Sequence, residues 1–489
     1  MKILLVMPPD INTVLMEAPN EVYEEFGAYP PLGLMYLAAC IRKFSKQKHD
    51  IRIVDCDTDK LDFKALEKEI KGYAPDVVGV TAYTPIIYDS WQTLKLAKKI
   101  NKKIITVIGG HHSDIYPKET INLGGIDYIV LGEGEYIFPK LIDALEKKQD
   151  PKKVEGIVFK KNGKIIITGK PGFVENLDEL PLPARDLVDW RKHQCVLGKE
   201  NVVATIMSSR GCPYRCTFCY KPLKARAWRF RSAENIVKEV EQCYKLGIRE
   251  IFFFDDNFSV DVRRVKAICD EIVKRKLKIS WSFRGRVNTL DYDMLVKCKK
   301  AGCHRIHFGV ETGSDEGLRK IKKDITTEQI RKAFKLCKKT GIVAVANFMI
   351  GLPGEKKREM FNTVDFANSI DADYAEFAIV TPYPQTELYE EGLKRKIFKT
   401  DFWKEFAKRP YPGFELQVWN EYYSREELFK ILEECLHRFY FNPMRMLKIA
   451  FSIRSFKEFK TKLKSGLTLL NYKKMKMPKK GVVNEYQGI

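Results

Sequence analysis

The sequence predicts an α/β protein: an N-terminal doubly wound, Rossmann-like parallel sheet of five strands, then a partial (β/α)6 barrel of the TIM type and a helical C-terminal region. Short β-branched runs alternate with helical runs up to about residue 145. Runs that are apolar on both faces are typical of parallel strands covered on both sides. A second series of strand–helix units starts near residue 199, and the pattern turns helical and irregular from about residue 387.

The chain has 489 residues, which is too long for one hydrophobic core. We therefore expect four parts: the first sheet over 1–150, a hairpin and linker over 151–198, the barrel over 199–390, and a basic helical region over 391–489. The apolar run from Met1 to Met7 is predicted to be a buried strand and not a signal peptide, because Pro8 and Pro9 follow it and no small-residue cleavage site does.

The first sheet is predicted to bind its ligands at the carboxyl ends of its strands, where the loops gather. After this sheet, Asn162 and Gly163 sit between two apolar runs and indicate a hairpin over 153–171, since both residues tolerate positive φ. A proline-stiffened linker follows at 180–186. The predicted strands of the first sheet are 3–7, 51–55, 77–80, 104–108 and 128–131.

The barrel is predicted from six strands with helical runs between them. Gly247, Gly302 and Gly341 follow three of the helical runs, as left-handed C-caps require. The helices are predicted over 233–246, 263–276, 292–301, 327–340 and 359–369, and the strands over 203–208, 250–255, 279–284, 305–310, 343–350 and 374–380.

Three cysteines with C-x3-C-x2-C spacing, Cys212, Cys216 and Cys219, follow the first barrel strand. A tetrahedral zinc ion would need a fourth protein ligand, and no His or Cys with zinc-finger spacing lies nearby. A cubane iron–sulfur cluster on three cysteines would keep one iron open for a substrate or cofactor. A structural zinc site or three unrelated core thiols remain the alternatives.

The formal net charge of +22 favours anionic partners such as nucleic acid, acidic lipid or a phosphorylated substrate, without choosing among them. No uncharged apolar run has membrane-spanning length. Apart from the cluster of three, the 12 cysteines are scattered, which favours reduced thiols in a cytosol. We expect a cytoplasmic protein with possible membrane association.

The segment from Arg210 to Tyr220, with aromatic Phe218 just before the last cysteine, resembles the signature of the radical S-adenosylmethionine (SAM) enzymes. The resemblance implies that the three cysteines hold a [4Fe-4S] cluster whose fourth iron chelates the methionine part of SAM. It implies reductive cleavage of SAM to a 5′-deoxyadenosyl radical, which abstracts a hydrogen atom. An electron donor such as ferredoxin or flavodoxin would supply the electron.

Polar residues follow the barrel strands at the end where barrel chemistry is built. By the same resemblance, Asp255 and Asp256 correspond to the motif that holds the methionine ammonium. Arg286 is a candidate partner for the methionine carboxylate or for a substrate acid. A helix cap or a surface ion pair would explain any one of these residues taken alone.

Two later strands complete the SAM set. Glu311 and Ser314 resemble the polar motif near the ribose, and Gly351 opens the segment that matches the motif beside adenine. Asn347 lies on the strand that leads into that segment. Only the joint placement of the whole set on one rim favours a cofactor site over separate structural roles.

The loops of the first sheet resemble the cobalamin-binding domain that precedes the radical core in a large subgroup of the superfamily. One departure is the absence of a D-x-H-x-x-G pattern, which supplies a lower-axial histidine in some cobalamin enzymes. A tight turn without ligand would explain the glycine pair equally well, and His111 with His112 is predicted to be a solvated loop and not a metal site. The candidate cobalamin residues are Thr81, Tyr83, Gly109, Gly110, His111 and Glu133.

The remaining cysteines fall mostly at apolar helical positions, so they are predicted to be core residues. The first domain offers only Cys40 and Cys56, which argues against the methylthio-transferring branch with its auxiliary cluster. In the C-terminal region, apolar residues recur at helical spacing over 449–470 with lysines and arginines between them. This pattern predicts either a membrane-surface helix or a helix docked on the barrel.

The sequence therefore predicts a radical SAM enzyme with an N-terminal cobalamin-binding domain. Its leading activity is cobalamin-dependent C-methylation of a lipid or other small molecule. The nearest alternative is cobalamin-assisted oxidation or ring formation on a porphyrin-like or isoprenoid-like substrate, since the N-terminal loops also resemble those of an anaerobic porphyrin cyclase. RNA modification and a nonenzymatic iron–sulfur or corrinoid carrier are hypotheses of other classes, and nucleic acid is disfavoured because no base-stacking module accompanies the charge.

Overall fold

The computed structural model describes residues 1–14, 28–195, 198–220 and 227–446. Among these residues, no helix combines the length and the apolar character needed to cross a membrane. The amphipathic segment predicted at 449–470 lies outside the described residues. The α/β class and the two successive parallel sheets are confirmed.

The first sheet has the strand order β2-β1-β3-β4-β5-β6-β7, and β1 to β5 are parallel. Helices cover both faces of the parallel part, which explains why its strands are apolar throughout. The helices are α1 Leu32–Phe44, α2 Phe63–Tyr73, α3 Ile87–Ile100, α4 His111–Ile115, α5 Pro117–Asn122 and α6 Ile137–Glu146. The strands are β1 Lys2–Met7, β2 Asp50–Asp55, β3 Val77–Thr81, β4 Ile105–Gly109, β5 Tyr128–Val130, β6 Ile157–Lys161 and β7 Lys164–Ile167.

The predicted hairpin forms, but it is not a connector. Strand β6 pairs antiparallel with β5, with Ile129 opposite Val158, so the hairpin extends the first sheet to seven strands. Asn162 and Gly163 have φ of 50° and 75° at the turn, as the sequence predicts. The expectation of a hairpin separate from the five-stranded sheet is wrong, because β5 leaves an unpaired edge that the apolar residues of β6 cover.

The second sheet is six-stranded and parallel, in the order β15-β14-β13-β12-β11-β8. Two short antiparallel strands, β9 Ser209–Arg210 and β10 Arg229–Phe230, flank the cysteine loop. The six strands are β8 Val203–Ile206, β11 Glu250–Phe253, β12 Ser280–Gly285, β13 Cys303–Glu311, β14 Val343–Ile350 and β15 Tyr374–Ile379.

Helices separate these strands close to the predicted positions. Gly247, Gly302 and Gly341 have φ of 90°, 98° and 68°, which confirms left-handed residues at three helix ends. The helices are α7 Ala233–Lys245, α8 Val262–Lys274, α9 Tyr292–Lys300, α10 Asp315–Lys320, α11 Thr327–Thr340 and α12 Lys357–Ser369.

The helical C-terminal region begins with α13 Glu387–Lys394, α14 Phe402–Lys408 and α15 Arg425–Tyr440. Buried Trp403 and Phe406 of α14 belong to the same apolar cluster as Leu4 and Ile108 of the first sheet. This cluster makes the C-terminal helices part of the packing that joins the two sheets.

Side chains of the second sheet alternate between a helix-covered face and an opposite face. Trp281 and Phe283 of β12 pack into the core beneath the helices. We call the opposite side the inner face. Its residues, spaced by two along each strand, include Phe252, Ser282, Arg284, Arg305, His307, Asn347 and Glu376.

Candidate active site

The cysteine loop after β9 presents three thiols differently from the rest of the chain. Cys212 and Cys216 are partly buried and Cys219 is exposed, whereas the other nine cysteines are all buried, and none of the twelve forms a disulfide. The loop is anchored at Thr217, whose N–H donates to the carbonyl of Ile321 (3.0 Å) and whose carbonyl accepts from the N–H of Leu388 (2.9 Å). The loop therefore offers three accessible sulfur donors on a fixed backbone.

Arg286 lies against this loop. Its guanidinium donates to Cys216 Sγ (3.6 Å) and to the carbonyl of Lys323, and it stacks on the ring of Tyr214 at 3.6 Å. The pairing of Arg286 with a carboxylate of SAM or of a substrate stays a prediction, and the protein contacts of its guanidinium include a thiol. Donors aimed at a sulfur ligand stabilise the thiolate and tune the metal group that it holds.

Asp255 and Asp256 occupy different environments. Asp255 is fully buried, and its oxygens accept hydrogen bonds from the N–H of Ser208 (2.7 Å) and the hydroxyls of Ser208 and Ser209 (2.5 Å each). Burial raises the pKa of this carboxyl. Asp256 is exposed, and one of its oxygens accepts from the N–H of Gly211 (3.1 Å), next to Cys212. Asp255 thus fixes the two serines that lead into the cysteine loop, and Asp256 binds the backbone of the loop itself.

Glu311 and Ser314 also form contacts with nearby residues of the chain. Glu311 is buried, has a φ of 71° and pairs with Lys323 Nζ at 2.6 Å. Ser314 is the N-cap of α10, and its hydroxyl accepts from the N–H of Gly317 (3.3 Å). The ammonium of Lys323 also lies 5.7 Å from the centre of the Phe218 ring, so it connects Glu311 to the cysteine loop.

The end of β14 supplies two further predicted residues. Asn347 has a buried Oδ1 without a hydrogen-bond partner among the described residues. Gly351 has a φ of 76°, which favours glycine, and its N–H donates to Glu355 Oε2 (2.8 Å), as does the N–H of Leu352 (3.0 Å). Burial raises the pKa of Glu355 to about 7. An orphaned amide oxygen is suited to a polar group of a ligand.

The cobalamin candidates lie at the carboxyl edge of the first sheet. Gly110 has a φ of 100°, and a Cβ there would approach the carbonyl oxygen of Ala82 to 2.7 Å, so the backbone of this turn requires glycine. Gly109 ends β4, and the carbonyl of Thr81, at the end of β3, accepts from the hydroxyl of Ser90 (3.0 Å). Tyr83 is exposed, and its ring lies 6.4 Å from that of His111.

His112 does not lie in a solvated loop, as the sequence suggested for the histidine pair. The two histidines open α4, and His112 is fully buried with its Nδ1 3.2 Å from the hydroxyl of Thr84. Burial lowers the pKa of His112 to about 3, so the ring is neutral. The prediction failed because the pair begins a helix, which sends one ring into the core and leaves the exposed ring of His111 at the surface.

The two edges meet at the cysteine loop. The ring of His111 lies 5.7 Å from the ring of Tyr220, next to Cys219. Arg210, the residue that enters the loop, pairs with Glu133 (3.2 Å) and with Glu135 (2.5 Å) of the first sheet. His111, one of the cobalamin candidates, therefore lies beside the loop that carries the three thiols.

Glu133 has a second arginine partner. Arg229 of β10 binds both of its carboxylate oxygens at 2.8 Å, and the N–H of Val174 donates to it as well (2.5 Å). Although burial opposes ionisation, these hydrogen bonds and the charge of Arg210 hold the pKa of Glu133 below its usual value. The structure thus gives Glu133 a role in joining the two sheets.

The sequence matches two family descriptions, the radical SAM superfamily over residues 206–367 and the B12 binding domain over residues 26–142. An uncharacterized methyltransferase of Pyrococcus horikoshii is 36% identical over 460 residues, which cover 93% of this chain and 96% of that protein. The chain belongs to the radical SAM superfamily, in the group with an N-terminal B12-binding domain. It is a radical SAM enzyme whose cofactors are a [4Fe-4S] cluster, SAM and cobalamin.

Two further relatives carry different activities in their names. The anaerobic magnesium-protoporphyrin IX monomethyl ester cyclase of Rubrivivax gelatinosus is 32% identical, covering 76% of this chain and 68% of that protein. The hopanoid C-3 methylase of Methylococcus capsulatus is 30% identical, covering 73% of this chain and 67% of that protein. Members of this group thus include methyltransferases and cyclases.

A solved structure shares the fold of this radical SAM chain. The cobalamin-dependent SAM radical enzyme OxsB, with aqua-cobalamin and SAM bound, aligns with a TM-score of 0.72 at 19% identity, covering 96% of this chain and 71% of that chain. At this identity the likeness bears on the arrangement of the sheets alone.

The donor set fits the cofactors of the group. Three accessible thiols with an arginine donor suit a cluster, and the orphaned Asn347 oxygen and the Gly351 turn suit a polar cofactor edge. Sequence reasoning missed the contacts of four residues, since three of them pair with partners 75 or more residues away in the chain, and the Lys323–Glu311 pair, twelve residues apart, has no sequence signal. These residues are Glu135, Arg210, Arg229 and Lys323.

Proposed function

We propose that this radical SAM enzyme transfers a methyl group to an unactivated carbon of a small molecule with a substantial apolar part. The observation that carries the proposal is the meeting of the two carboxyl edges, where His111 of the first sheet contacts Tyr220 of the cysteine loop. When bound, the cluster supplies the electron that cleaves SAM, and cobalamin supplies the methyl group. A methyl carrier and a radical generator must reach one substrate, and a shared space between the edges meets that need.

In this proposal Cys212, Cys216 and Cys219 ligate the cluster. Arg286 positions Cys216 by donating to its sulfur, and Asp256 fixes the backbone N–H of Gly211. Both contacts reduce the motion of the cluster-binding loop, as residues beyond the metal ligands commonly do.

SAM is proposed to bind along the strand ends of the second sheet. Asn347 and the Gly351 turn offer it an unpaired oxygen and close backbone approach. Asp255, Glu311 and Ser314, which were predicted to contact SAM directly, are proposed to position its binding loops, because their polar atoms already have protein partners.

Cobalamin is proposed to bind over Thr81, Tyr83, Gly109, Gly110 and His111. Glu133, which was predicted to bind cobalamin, is not included, because its carboxylate pairs with Arg210 and Arg229. The exposed rings of Tyr83 and His111 would contact the corrin from the side of the first sheet.

A lipid substrate is the finer form of the proposal. The 30% identity to a hopanoid methylase and the basic amphipathic pattern at 449–470 support it. Flotation of the full chain with acidic phospholipid vesicles, compared with a chain that ends at residue 440, tests the membrane contact. Equal flotation of the two chains would count against it. A ferredoxin or flavodoxin is the proposed electron donor.

Oxidative ring formation is the second candidate, because a cyclase is 32% identical to this chain. An isotope experiment separates the two. Anaerobic extract of a deletion strain is incubated with the reconstituted enzyme, a reductant and SAM labelled with 13CD3 at the methyl group, and products are profiled by mass spectrometry. A product that carries the labelled methyl supports methylation. A product that has lost hydrogens and carries no label supports cyclisation and overturns methylation. Enzyme with Cys216→Ala serves as the control for products unrelated to the cluster.

A further inference from the structure

The inner face of the second sheet carries an arginine in an unusual position. Arg284 is exposed, although both of its chain neighbours on β12, Phe283 and Gly285, are buried. Phe283 packs under the helices, so the alternation of the strand turns Arg284 toward the inner face. The exposure of Arg284 is therefore exposure to the interior of the partial barrel and not to the outer, helix-covered surface.

Among the residues that the structure describes, the Arg284 guanidinium contacts aromatic rings and forms no hydrogen bond or ion pair. It lies over the ring of Phe254, 4.4 Å from the ring centre, and 5.4 Å from that of Phe252. Although its surface is open to the barrel interior, the protein around Arg284 displaces water and so lowers its pKa, while Tyr29, Glu376 and Asp256 oppose that effect. Arginine carries five N–H donors and remains protonated, so stacking leaves these donors without acceptors.

His307 lies beside Arg284, as its register partner on β13. Its Nε2 is 3.0 Å from Arg305 Nε, which can only donate, so Nε2 accepts and the proton of the neutral ring is on Nδ1. Burial, followed by the charges of Arg305 and Arg284, lowers the pKa of His307 to about 3. The inner face thus adds a neutral N–H donor next to the guanidinium.

The surroundings of these donors are apolar on one side. The ring centre of Phe252 lies 5.8 Å from that of His307, and the ring of Tyr29 lies 5.8 Å from that of Phe252 and 5.9 Å from that of Phe254. Glu376 also lies on the inner face, where burial raises the pKa of its carboxyl. Aromatic walls with a few polar groups are typical of small-molecule sites.

We propose that the inner face binds the substrate through an anionic group, a carboxylate or a phosphate, and that Arg284 is its anchoring residue. The apolar body of the substrate packs on Phe252 and Phe254. This inference rests on the proposed function, because it assumes that a small-molecule substrate enters the partial barrel. It adds a substrate class to that function: amphiphilic anions.

SAM is a weaker occupant for Arg284, because Arg286 lies two residues further along the same face and already contacts Cys216. Two residues along a strand span about 6.6 Å, so Arg284 is one layer further from the cysteine loop. A substrate that binds deeper in the partial barrel than SAM, further from the cysteine loop, would reach Arg284.

The test compares three probes of equal chain length: octyl phosphate, octanoate and octanol. Their dissociation constants are measured by ligand-detected NMR titration on the holoenzyme. The proteins are the wild type, Arg284→Gln, Arg284→Lys and the control Arg263→Gln, since the Arg263 side chain is 95% exposed on the outside of the barrel. Cobalamin content and equilibrium binding of SAM report whether each variant folds and loads.

The wild type and Arg263→Gln should bind at least one anionic probe about tenfold or more tightly than octanol. The comparison of octanoate with octyl phosphate identifies which anion fits. Arg284→Gln should reduce that preference to about twofold or less, and Arg284→Lys should retain part of it. Equal binding of all three probes to the wild type, or an undiminished preference in Arg284→Gln, overturns the proposal.

Loss of SAM binding in Arg284→Gln would assign the arginine to SAM and would also overturn the proposal. Failure of the proposed function has a different signature. In that case the wild type prefers the anionic probe, but the isotope experiment yields no labelled product.

Discussion

The carboxyl edges of the two sheets meet at one space, yet their polar residues are used in different ways. On the first edge, Glu133 and Glu135 are paired with arginines that flank the cysteine loop, and Asp114 accepts from the N–H of Gly132 (2.6 Å). On the second edge and its inner face, three thiols are accessible and Arg284 has no ion pair among the described residues. The acidic residues of the first edge thus support the interface, whereas its exposed Tyr83 and His111, like the thiols and Arg284 of the second, are the groups left for ligands.

The difference teaches that a polar residue at a strand end is not by itself evidence of a ligand. Asp255 and Glu133 were both predicted as binding residues, and both are saturated by protein donors. Unsatisfied or accessible groups are the better guide, because buried polar groups are normally paired.

The largest expected effect is the difference between replacing an accessible cysteine and replacing a buried one. Cys216→Ala should remove the cluster and reduce SAM cleavage to background, because an iron loses a thiolate ligand. Cys243→Ala, in the apolar core, should keep both and cost about 1 kcal/mol of stability. The ultraviolet–visible spectrum of anaerobically reconstituted protein and the yield of 5′-deoxyadenosine measure the two effects. An intact cluster spectrum in Cys216→Ala would remove this loop from the proposed active site.

The order of elements was predictable because each strand and helix has a local signal. The predicted ranges of β14, 343–350, and of α11, 327–340, match the structure. The signals for these elements are local: an apolar run forms the strand, and the caps Thr326 and Gly341 directly flank the helix. The attachment of the hairpin to β5 was not predictable. It depends on an edge exposed by a strand whose partners lie elsewhere in the chain.

The support provided by the first edge is tested by Glu133→Gln. This change leaves Arg229 and Arg210 partly buried beside a neutral group, which should cost about 3 kcal/mol in the free energy of unfolding. Glu69→Gln is the matched control, because Glu69 pairs with Arg52 at the exposed surface and should cost less than about 1 kcal/mol. Urea unfolding followed by circular dichroism gives both values. Equal losses in the two variants would show that Glu133 does not support the interface.

The same pair predicts a pH dependence. The pKa of Glu133 is lower in the folded protein than in the unfolded chain, so its stabilisation is present above the unfolded value and is lost as pH falls through the folded value. The stability difference between wild type and Glu133→Gln should therefore shrink as the pH falls below about 4. A difference that stays constant down to the acid transition would contradict the ion pair.

The part of the site that forms a local sequence motif was predictable. The part that depends on contacts between distant residues was not. The spacing of Cys212, Cys216 and Cys219 is visible in the sequence. The contact of Arg286 with Cys216, and the exposure of Arg284, depend on strand register and on which face of β12 turns inward. Two arginines two residues apart have the same appearance in sequence, but folding gives only one of them a thiol partner.

A smaller effect concerns the turn at the first edge. Gly110→Ala should cost about 2 to 3 kcal/mol, because the residue has a φ of 100° and its new Cβ would lie 2.7 Å from the carbonyl oxygen of Ala82. Gly72→Ala, in a helix with open space around it, should gain up to about 1 kcal/mol. Thermal unfolding and cobalamin content of both variants measure the effect. Unchanged stability and loading in Gly110→Ala would show that this turn does not need glycine.

An effect that is confined to part of the pH range comes from Glu355, close to Gly351 on the second edge. Burial raises the pKa of Glu355 from 4.5 to about 7, so its protonated form is favoured by folding. That contribution is full below the unfolded value and is lost as pH rises through about 7, at a cost of about 3 kcal/mol by pH 8. In Glu355→Gln, the amide oxygen can accept the same N–H bonds and does not ionise, so the loss between pH 5 and about 8 should disappear. Glu316→Gln, at the surface, should keep the wild-type profile. The free energy of unfolding of the three proteins is measured across this pH range. The same dependence on pH in all three would mean that Glu355 does not titrate in this range.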